Sequence, residues 1–149
     1  MAIMFRGEYR HTLDPKGRLI MPLEYREKLG ERFFVVRGAG DHYLNAYPES
    51  EWDKIEEKID AIPDLTSEAG KILHRYFIAG SNQCQPDNQG RVMIQSALRE
   101  YAELTKDVVL AGVGDHIEIW NPDRWEEKMN QMLSVNLEEL INGQNWEQI

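Results

Sequence analysis

The sequence repeats itself once, and this internal repeat limits the folds that the chain can adopt. The segment from Gly7 to Arg18 aligns with the segment from Gly80 to Arg91 at an offset of 73 residues. Farther along, the Gly-Asp-His triplet at 40–42 recurs at 114–116, and Trp52 recurs as Trp125. Because order and spacing persist over most of the chain, the sequence predicts two similar half-units, at 7–62 and 80–133. We expect one domain over residues 1–149, whose last part, 134–149, is a polar tail.

Each half-unit has the same predicted order of elements. A strand, a tight turn, a short strand, a short helix and two further strands precede a closing helix. The turns are Asp14-Pro15-Lys16-Gly17 and Asp87-Asn88-Gln89-Gly90. Aspartate stabilises such turns by accepting backbone N–H bonds, and glycine supplies a positive φ. Asp14, Asp87 and Gly90 are therefore predicted to shape the turns.

The helices are predicted from caps and apolar spacing. The short helix follows Pro22 in the first half-unit, and Ser96 is the expected cap in the second. A further helix is predicted between the half-units, from Thr66 to Tyr76. The closing helices carry apolar stripes, which consist of Trp52, Ile55, Ile59 and Ile62 in the first and Trp125, Met129, Met132 and Leu133 in the second.

Neither half-unit has enough strands to bury its own apolar faces, so we expect the two to interlock around one core. The predicted fold class is α+β, mainly β. Its expected architecture is a small β-barrel built from two pseudo-repeats, with peripheral helices.

The charge of the chain is uneven. Its net charge is −9, which argues against a uniformly basic polyanion-binding protein. Residues 1–40, however, contain eight Lys or Arg against five acids, a balance of +3 that leaves −12 for the other 109 residues. Since screening limits a charge's field to about 10 Å, a local basic face on an acidic body can bind a polyanion. A solvated imbalance without a partner is the alternative.

The pattern Asp-x-x-x-Arg is the strongest chemical signal, and it occurs as Asp14/Arg18 and Asp87/Arg91. Such a turn can present a planar guanidinium to a phosphate or to a guanine edge. An Asp–Arg pair that only braces a hairpin is the alternative. Further cations flank the first turn, whereas the second has neutral Asn88 and Gln89, so we expect a larger cationic contribution from the first. The flanking cations include Arg6, Arg10 and Lys16.

Other kinds of site find little support. No metal-ligand spacing, P-loop, nucleophile elbow or dinucleotide motif is present, so we expect no enzyme, no cofactor, no metal and no small-molecule substrate. The only cysteine, Cys84, excludes an intramolecular disulfide. No apolar run is long enough to span a bilayer, and we expect no membrane partner.

The chain closely resembles the MraZ family of bacterial transcriptional regulators. The resemblance lies in Met4 to Tyr9, in Leu13 to Arg18 with the trailing Pro22, and in Ile117 to Trp120 of the second half. It covers roughly residues 4 to 133. It implies the swapped-hairpin, double-split β-barrel fold of AbrB-like regulators, with one chain supplying both halves.

The resemblance also implies a function. Family members form rings of many subunits and bind tandem repeats of double-stranded DNA in the promoter of the division and cell-wall gene cluster, their own operon, which they typically repress. It implies a cytoplasmic, nucleoid-associated protein. The implied contacts come from the basic turns, at Lys16, Gly17 and Arg18 in the first half and at Arg91 in the second. Arg6 and Arg10 are added as candidates because they flank the first turn.

Two other functions stay open at this point. A ring-forming scaffold could use the same turns to bind an acidic protein, without any preference for DNA. An antitoxin-like regulator could bind a toxin through its C-terminal region, although such proteins usually carry a single half-unit.

Overall fold

The computed structural model describes residues 4–63 and 67–144. Within these ranges the chain alternates between short strands and short helices. The elements are β1 (Glu8–Thr12), β2 (Arg18–Ile20), α1 (Leu23–Leu29), β3 (Phe33–Arg37), β4 (Leu44–Pro48), α2 (Glu49–Asp60), α3 (Glu68–Leu73) with a π-helical turn (His74–Ala79), β5 (Asn82–Cys84), β6 (Arg91–Met93), α4 (Ser96–Tyr101), β7 (Asp107–Gly112), β8 (Ile117–Trp120), α5 (Pro122–Leu133) and α6 (Leu137–Gly143).

The strands form two antiparallel sheets. Six of them pair in the order β1-β7-β8-β4-β3-β5, and β2 pairs with β6 in a separate two-stranded sheet. Four of the pairings, β1–β7, β3–β5, β4–β8 and β2–β6, join a strand that precedes residue 62 to one that follows residue 80. The expected interlocking of the two parts of the chain is confirmed by these pairings.

The α+β class, with mainly antiparallel strands, is confirmed, but the expected closed barrel is wrong. Among the described residues, β1 and β5 are the edges of the six-stranded sheet and do not pair with each other. The β2–β6 sheet connects to β1 through a bridge between Leu13 and Leu19. The hydrogen-bonded ladder is therefore open, and the swapped-hairpin arrangement stays a prediction.

The main core lies between the six-stranded sheet and the β2–β6 sheet. Leu19 and Val92, the central residues of β2 and β6, are completely buried in it with Leu110 of β7. Because side chains alternate along a strand, the neighbouring Val109 points to the opposite face of the sheet. There it packs in a second cluster with Trp125 of α5. The six-stranded sheet thus has one face toward β2–β6 and the other toward α5.

The helices depart from the sequence expectations at several residues. Ser96 is the first residue of α4, and the cap position belongs to Gln95, which makes no capping bond. In α2, Trp52 and Ile59 are buried, whereas Ile62 lies beyond the helix. In α5, Trp125 is buried, while Met132 and Leu133 are exposed. These corrections have one cause: an apolar stripe is buried only where the sheet lies beneath it.

The helix between the half-units begins later and ends differently than predicted. Ser67 caps α3, accepting a bond from Gly70 N at 3.0 Å, and the helix continues as the π-helical turn. Thr66, its predicted start, lies outside the described residues.

The predicted tail contains a helix of its own. Asn136 caps α6, and its Oδ1 accepts a bond from Glu139 N at 3.1 Å. Leu137, Leu140 and Ile141 share one side of this helix by their spacing, and all three are exposed. Residues 145–149 of the tail lie outside the described part. None of the helices in the ranges 4–63 and 67–144 combines the length and the apolar character needed to cross a membrane.

Candidate nucleic-acid interface

The first basic turn is held together by the carboxylate of Asp14. Its Oδ1 accepts bonds from the backbone N–H groups of Lys16 and Arg18, each at 2.9 Å. Its Oδ2 accepts a bond from Arg18 Nε at 2.7 Å. The Asp14 carbonyl also accepts a bond from Gly17 N at 2.9 Å. One aspartate therefore fixes both the backbone of the turn and the direction of the arginine.

The second turn has the same geometry. Asp87 Oδ1 accepts bonds from the backbone N–H groups of Gln89 and Arg91 at 2.9 Å, and Oδ2 accepts one from Arg91 Nε at 2.7 Å. Gly90 N donates to the Asp87 carbonyl at 2.9 Å. The two turns differ in charge rather than in shape, because exposed Lys16 is replaced by Gln89.

The β2–β6 pairing brings the two turns together on one short ribbon. Arg18 lies opposite Met93, and Ile20 lies opposite Arg91. Two further bonds lock each strand to the other turn, from Met21 N to the Gly90 carbonyl at 3.2 Å and from Ile94 N to the Gly17 carbonyl at 3.0 Å. From ideal sheet spacings, the Cα atoms of Arg18 and Arg91 are about 8 Å apart on the diagonal.

Both arginines keep the outer end of the guanidinium available. Nε is held by the aspartate in each case, and the hydrogen bonds of the described residues include none from the terminal nitrogens of Arg18 or Arg91. Their side chains are 27% and 30% exposed. The ion pairs orient the guanidinium forks without occupying them.

Hydrogen bonds to the carboxylates also shift their acidity. In both turns the pKa of the aspartate lies below its ordinary value, chiefly because the backbone N–H of the arginine donates to the charged form. The arginine side chain and a second backbone N–H act in the same direction. Both aspartates are therefore ionised at neutral pH.

A second pair of arginines, Arg26 and Arg99, lies beneath the turns, and sequence reasoning missed its role. The guanidinium of Arg99 in α4 packs against Gly17, where a Cβ would lie 2.6 Å from Arg99 Cζ. In the same way, the guanidinium of Arg26 in α1 packs against Gly90. Each turn glycine thus contacts an arginine from the other part of the chain. The signal was available, because Arg26 and Arg99 correspond at the offset of the repeat.

These two contacts are not equivalent. Arg99 Nε donates to the Ile94 carbonyl at 3.0 Å, whereas Arg26 Nε is buried without an acceptor among the described residues. Together the two turns and the two supporting arginines supply five cations against Asp14 and Asp87, so the ribbon has a local excess of positive charge.

Arg6 and Arg10 do not join this ribbon. Arg10 lies opposite Val109 in the β1–β7 pairing, on the face of the sheet that packs against α5. There its guanidinium is 3.6 Å from a Glu8 carboxylate and 3.7 Å from that of Glu126. Arg6 precedes β1, whereas the first turn follows it, so the strand separates the two.

No cluster of metal-ligating side chains occurs among residues 4–63 and 67–144. The repeated Asp-His pairs are local: Asp41 Oδ1 accepts from His42 N at 2.7 Å, and His116 Nδ1 lies 2.6 Å from Asp115 Oδ1. The interpretation of these pairs as turn chemistry agrees with the contacts.

Comparison with known proteins places the chain in a family. A family model described as "MraZ protein, putative antitoxin-like" matches residues 4–74 and 77–141. The chain belongs to the MraZ family. Among its relatives, "Transcriptional regulator MraZ" of Carboxydothermus hydrogenoformans is 48% identical over 127 residues, covering 85% of this chain and 87% of the relative.

Two more members of the MraZ family show the same extent of similarity. The protein of the same name from Heliobacterium modesticaldum is 44% identical over 137 residues, covering 92% of this chain and 94% of the relative. That of Halothermothrix orenii is 47% identical over 122 residues, covering 82% and 84%. The two matched ranges of the family model together include both turns and the β2–β6 ribbon.

The contact between Gly17 and Arg99 predicts that a methyl group at this position costs more than backbone strain alone. Gly40 has a similar φ, +87° against +81°, but open space around it. Gly40→Ala should cost about 1–2 kcal/mol for the left-handed backbone. Gly17→Ala should cost about 1 kcal/mol more, because the guanidinium must move and break its bond to Ile94. Urea unfolding of both variants measures the difference.

The Arg99→Ala background provides the control for this prediction. Without the guanidinium, Gly17→Ala should cost no more than Gly40→Ala. Equal costs of the two alanine variants in the wild-type background would contradict the role assigned to the contact.

The lowered pKa values of Asp14 and Asp87 predict an acid-sensitive interface. Because their folded-state pKa lies below the unfolded one, their stabilisation is present above the unfolded pKa and is lost as the pH falls through the folded pKa. Melting temperatures should show that the wild type loses its advantage over Asp14→Asn/Asp87→Asn on acidification. An Asp14 carboxyl that titrates by NMR at the same pH as in an unstructured peptide would contradict this.

Proposed function

We propose that this protein is a sequence-specific, double-stranded DNA-binding transcriptional regulator, acting in the cytoplasm at the nucleoid. The observation that carries the proposal is the pair of aspartate-oriented arginines on the β2–β6 ribbon. Membership of the MraZ family supports it, since the relatives are named transcriptional regulators. The swapped-hairpin half-units at 7–62 and 80–133, AbrB-like in the proposed classification, would supply one turn each.

The proposed contacts follow from the geometry of the turns. A two-stranded ribbon fits the major groove of B-DNA, and a guanidinium can donate two bonds to the O6 and N7 atoms of guanine. Arg18 and Arg91 keep their terminal nitrogens for this purpose. Lys16, which is exposed at the tip of the first turn, would bind a phosphate, and Gly17 allows the backbone to approach the DNA.

The charge distribution suits a protein that binds DNA on one face only. The cations of the ribbon are close to each other, whereas the balance over residues 41–149 is −12. At physiological salt, a field reaching about 8 Å would attract DNA to the ribbon, and the acidic remainder would discourage coating elsewhere. Arg6 and Arg10, which lie away from the ribbon, have weaker support as contacts; Arg10 is already close to two carboxylates.

A single ribbon offers few contacts, and each contact with phosphate is lost readily to salt. We therefore propose that the protein acts as a closed ring of identical subunits on tandem repeats in the promoter of its own operon, which it represses. Several ribbons then bind one DNA, and effective concentration raises the overall affinity. The exposed apolar side of α6 supports self-association, because such surfaces are used in contacts between subunits.

Arg18→Ala tests the proposed interface. Fluorescence anisotropy should show tight, salt-sensitive binding of the wild type to its own promoter DNA and weak binding to a scrambled duplex. Arg18→Ala should lose about 1–3 kcal/mol of the preference, as expected for one guanine contact. Arg18→Lys should keep affinity for phosphate but lose much of the preference, because an ammonium lacks the planar fork.

Lys54→Ala is the matched control, since it removes an exposed cation that is paired with Glu51 on α2. It should leave the preference for the promoter unchanged. Lys16→Ala should weaken binding to all sequences and reduce the slope of log K against log salt by about 1. If the wild type bound both duplexes equally or not at all, the protein-scaffold alternative would replace the regulator.

The ring is tested separately, by light scattering after gel filtration. Leu137→Ser/Leu140→Ser should lower the mass of the assembly, because serine removes apolar surface from α6. It should also reduce the gain in affinity that two promoter repeats give over one. A Met132→Ser control changes an exposed apolar residue in α5 outside α6. An unchanged mass in the double variant would exclude α6 from the subunit contact.

A further inference from the structure

The ribbon carries two large apolar side chains in water, between its arginines. Ile20 is 54% exposed and Met93 is 42% exposed. Their neighbours Leu19 and Val92 are completely buried, since they point to the core side of the same strands. Ile20 and Met93 belong to neither of the two buried clusters, so they contribute little to the core.

The register makes an alternating pattern of charge and apolar surface. Arg18 and Ile20 are two residues apart on β2, and each faces the opposite kind of residue on β6: Arg18 faces Met93, and Ile20 faces Arg91. Four side chains therefore form a small rectangle, about 7 Å along the strands and about 5 Å across them. Along the DNA axis, about 7 Å corresponds to about two base steps.

This pattern is unsuited to a surface that only binds phosphates. Phosphate contacts require cations and hydrogen-bond donors, and an aliphatic side chain supplies neither. The edges of base pairs in the major groove do offer an apolar group, the C5 methyl of thymine. An aliphatic side chain beside each arginine would contact that methyl while the guanidinium binds a guanine.

We propose that Ile20 and Met93 determine sequence specificity by packing against thymine methyl groups within about two base steps of the guanines that Arg18 and Arg91 recognise. This inference rests on the proposed function and names the ligand of the same ribbon more closely: a major groove in which thymine and guanine alternate over a short distance. The arginines supply hydrogen bonds and charge, and the apolar pair distinguishes thymine from cytosine, which lacks the methyl.

The experiment removes the methyl groups from the DNA instead of changing the protein. Promoter duplexes with uracil in place of every thymine of the repeats keep their base pairing but lose the C5 methyl. Wild-type binding should weaken about fourfold for each methyl contacted. The scrambled duplex, with and without uracil, measures any effect of the substitution on DNA shape, and its affinity should stay the same.

A variant of similar side-chain size then locates the contact. Ile20→Thr/Met93→Gln should bind the thymine promoter as weakly as the wild type binds the uracil promoter, and should no longer distinguish the two. Leu23→Gln, which changes an exposed apolar residue of α1, should still distinguish them. Circular dichroism and light scattering check the fold and the mass of each variant.

The outcomes separate this inference from the proposed function. If wild type binds thymine and uracil promoters equally while Arg18→Ala loses the promoter, the inference is wrong and the regulator proposal stands. If wild type shows no preference for the promoter, both fail. If Ile20→Thr/Met93→Gln changes the mass of the assembly and leaves the response to uracil intact, the apolar pair is a contact between subunits, and the inference is wrong.

Discussion

Hydrogen bonds between distant parts of the chain hold this protein together, and the short β2–β6 ladder is the one on which the candidate interface depends. Only three residues pair on each strand, but Leu19 and Val92 beneath them are completely buried, and two further bonds tie each strand to the opposite turn. The relative position of the two arginines is therefore set by the core. A rigid support of this kind suits recognition, because little freedom is lost on binding.

The turns could be predicted from the sequence because their chemistry is local. Asp, Gly and Arg within five residues contain the donors, the acceptor and the positive φ that the turn requires, and all the bonds lie between neighbours. The strands that flank each turn were also predicted closely, since a run such as Arg91-Val92-Met93-Ile94 alternates clearly. The repeat implied that both turns share one geometry, and their hydrogen bonds match within about 0.1 Å.

Features that depend on contacts between distant residues were predicted less well. The closure of a barrel depends on whether two edge strands meet, and no local pattern in β1 or β5 encodes that. Arg10 was grouped with the first turn by its place in the sequence, whereas strand alternation puts it on the other face of the sheet. Ser96 has the chemistry of a cap, but Pro22 and Gln95 occupy the cap positions of the equivalent helices without capping bonds.

The packing of Arg99 on Gly17 and of Arg26 on Gly90 has a consequence for how such a duplicated chain diverges. A substitution in one turn is felt by a helix from the other half, so neither copy accumulates changes independently. Positions 17 and 99 should covary among homologues, as should 90 and 26. Lys16, whose side chain is exposed, is exempt from this coupling, and it is there that the two copies have separated into a charged and a neutral residue. Duplication thus preserved the framework of both turns and left their tips free to specialise.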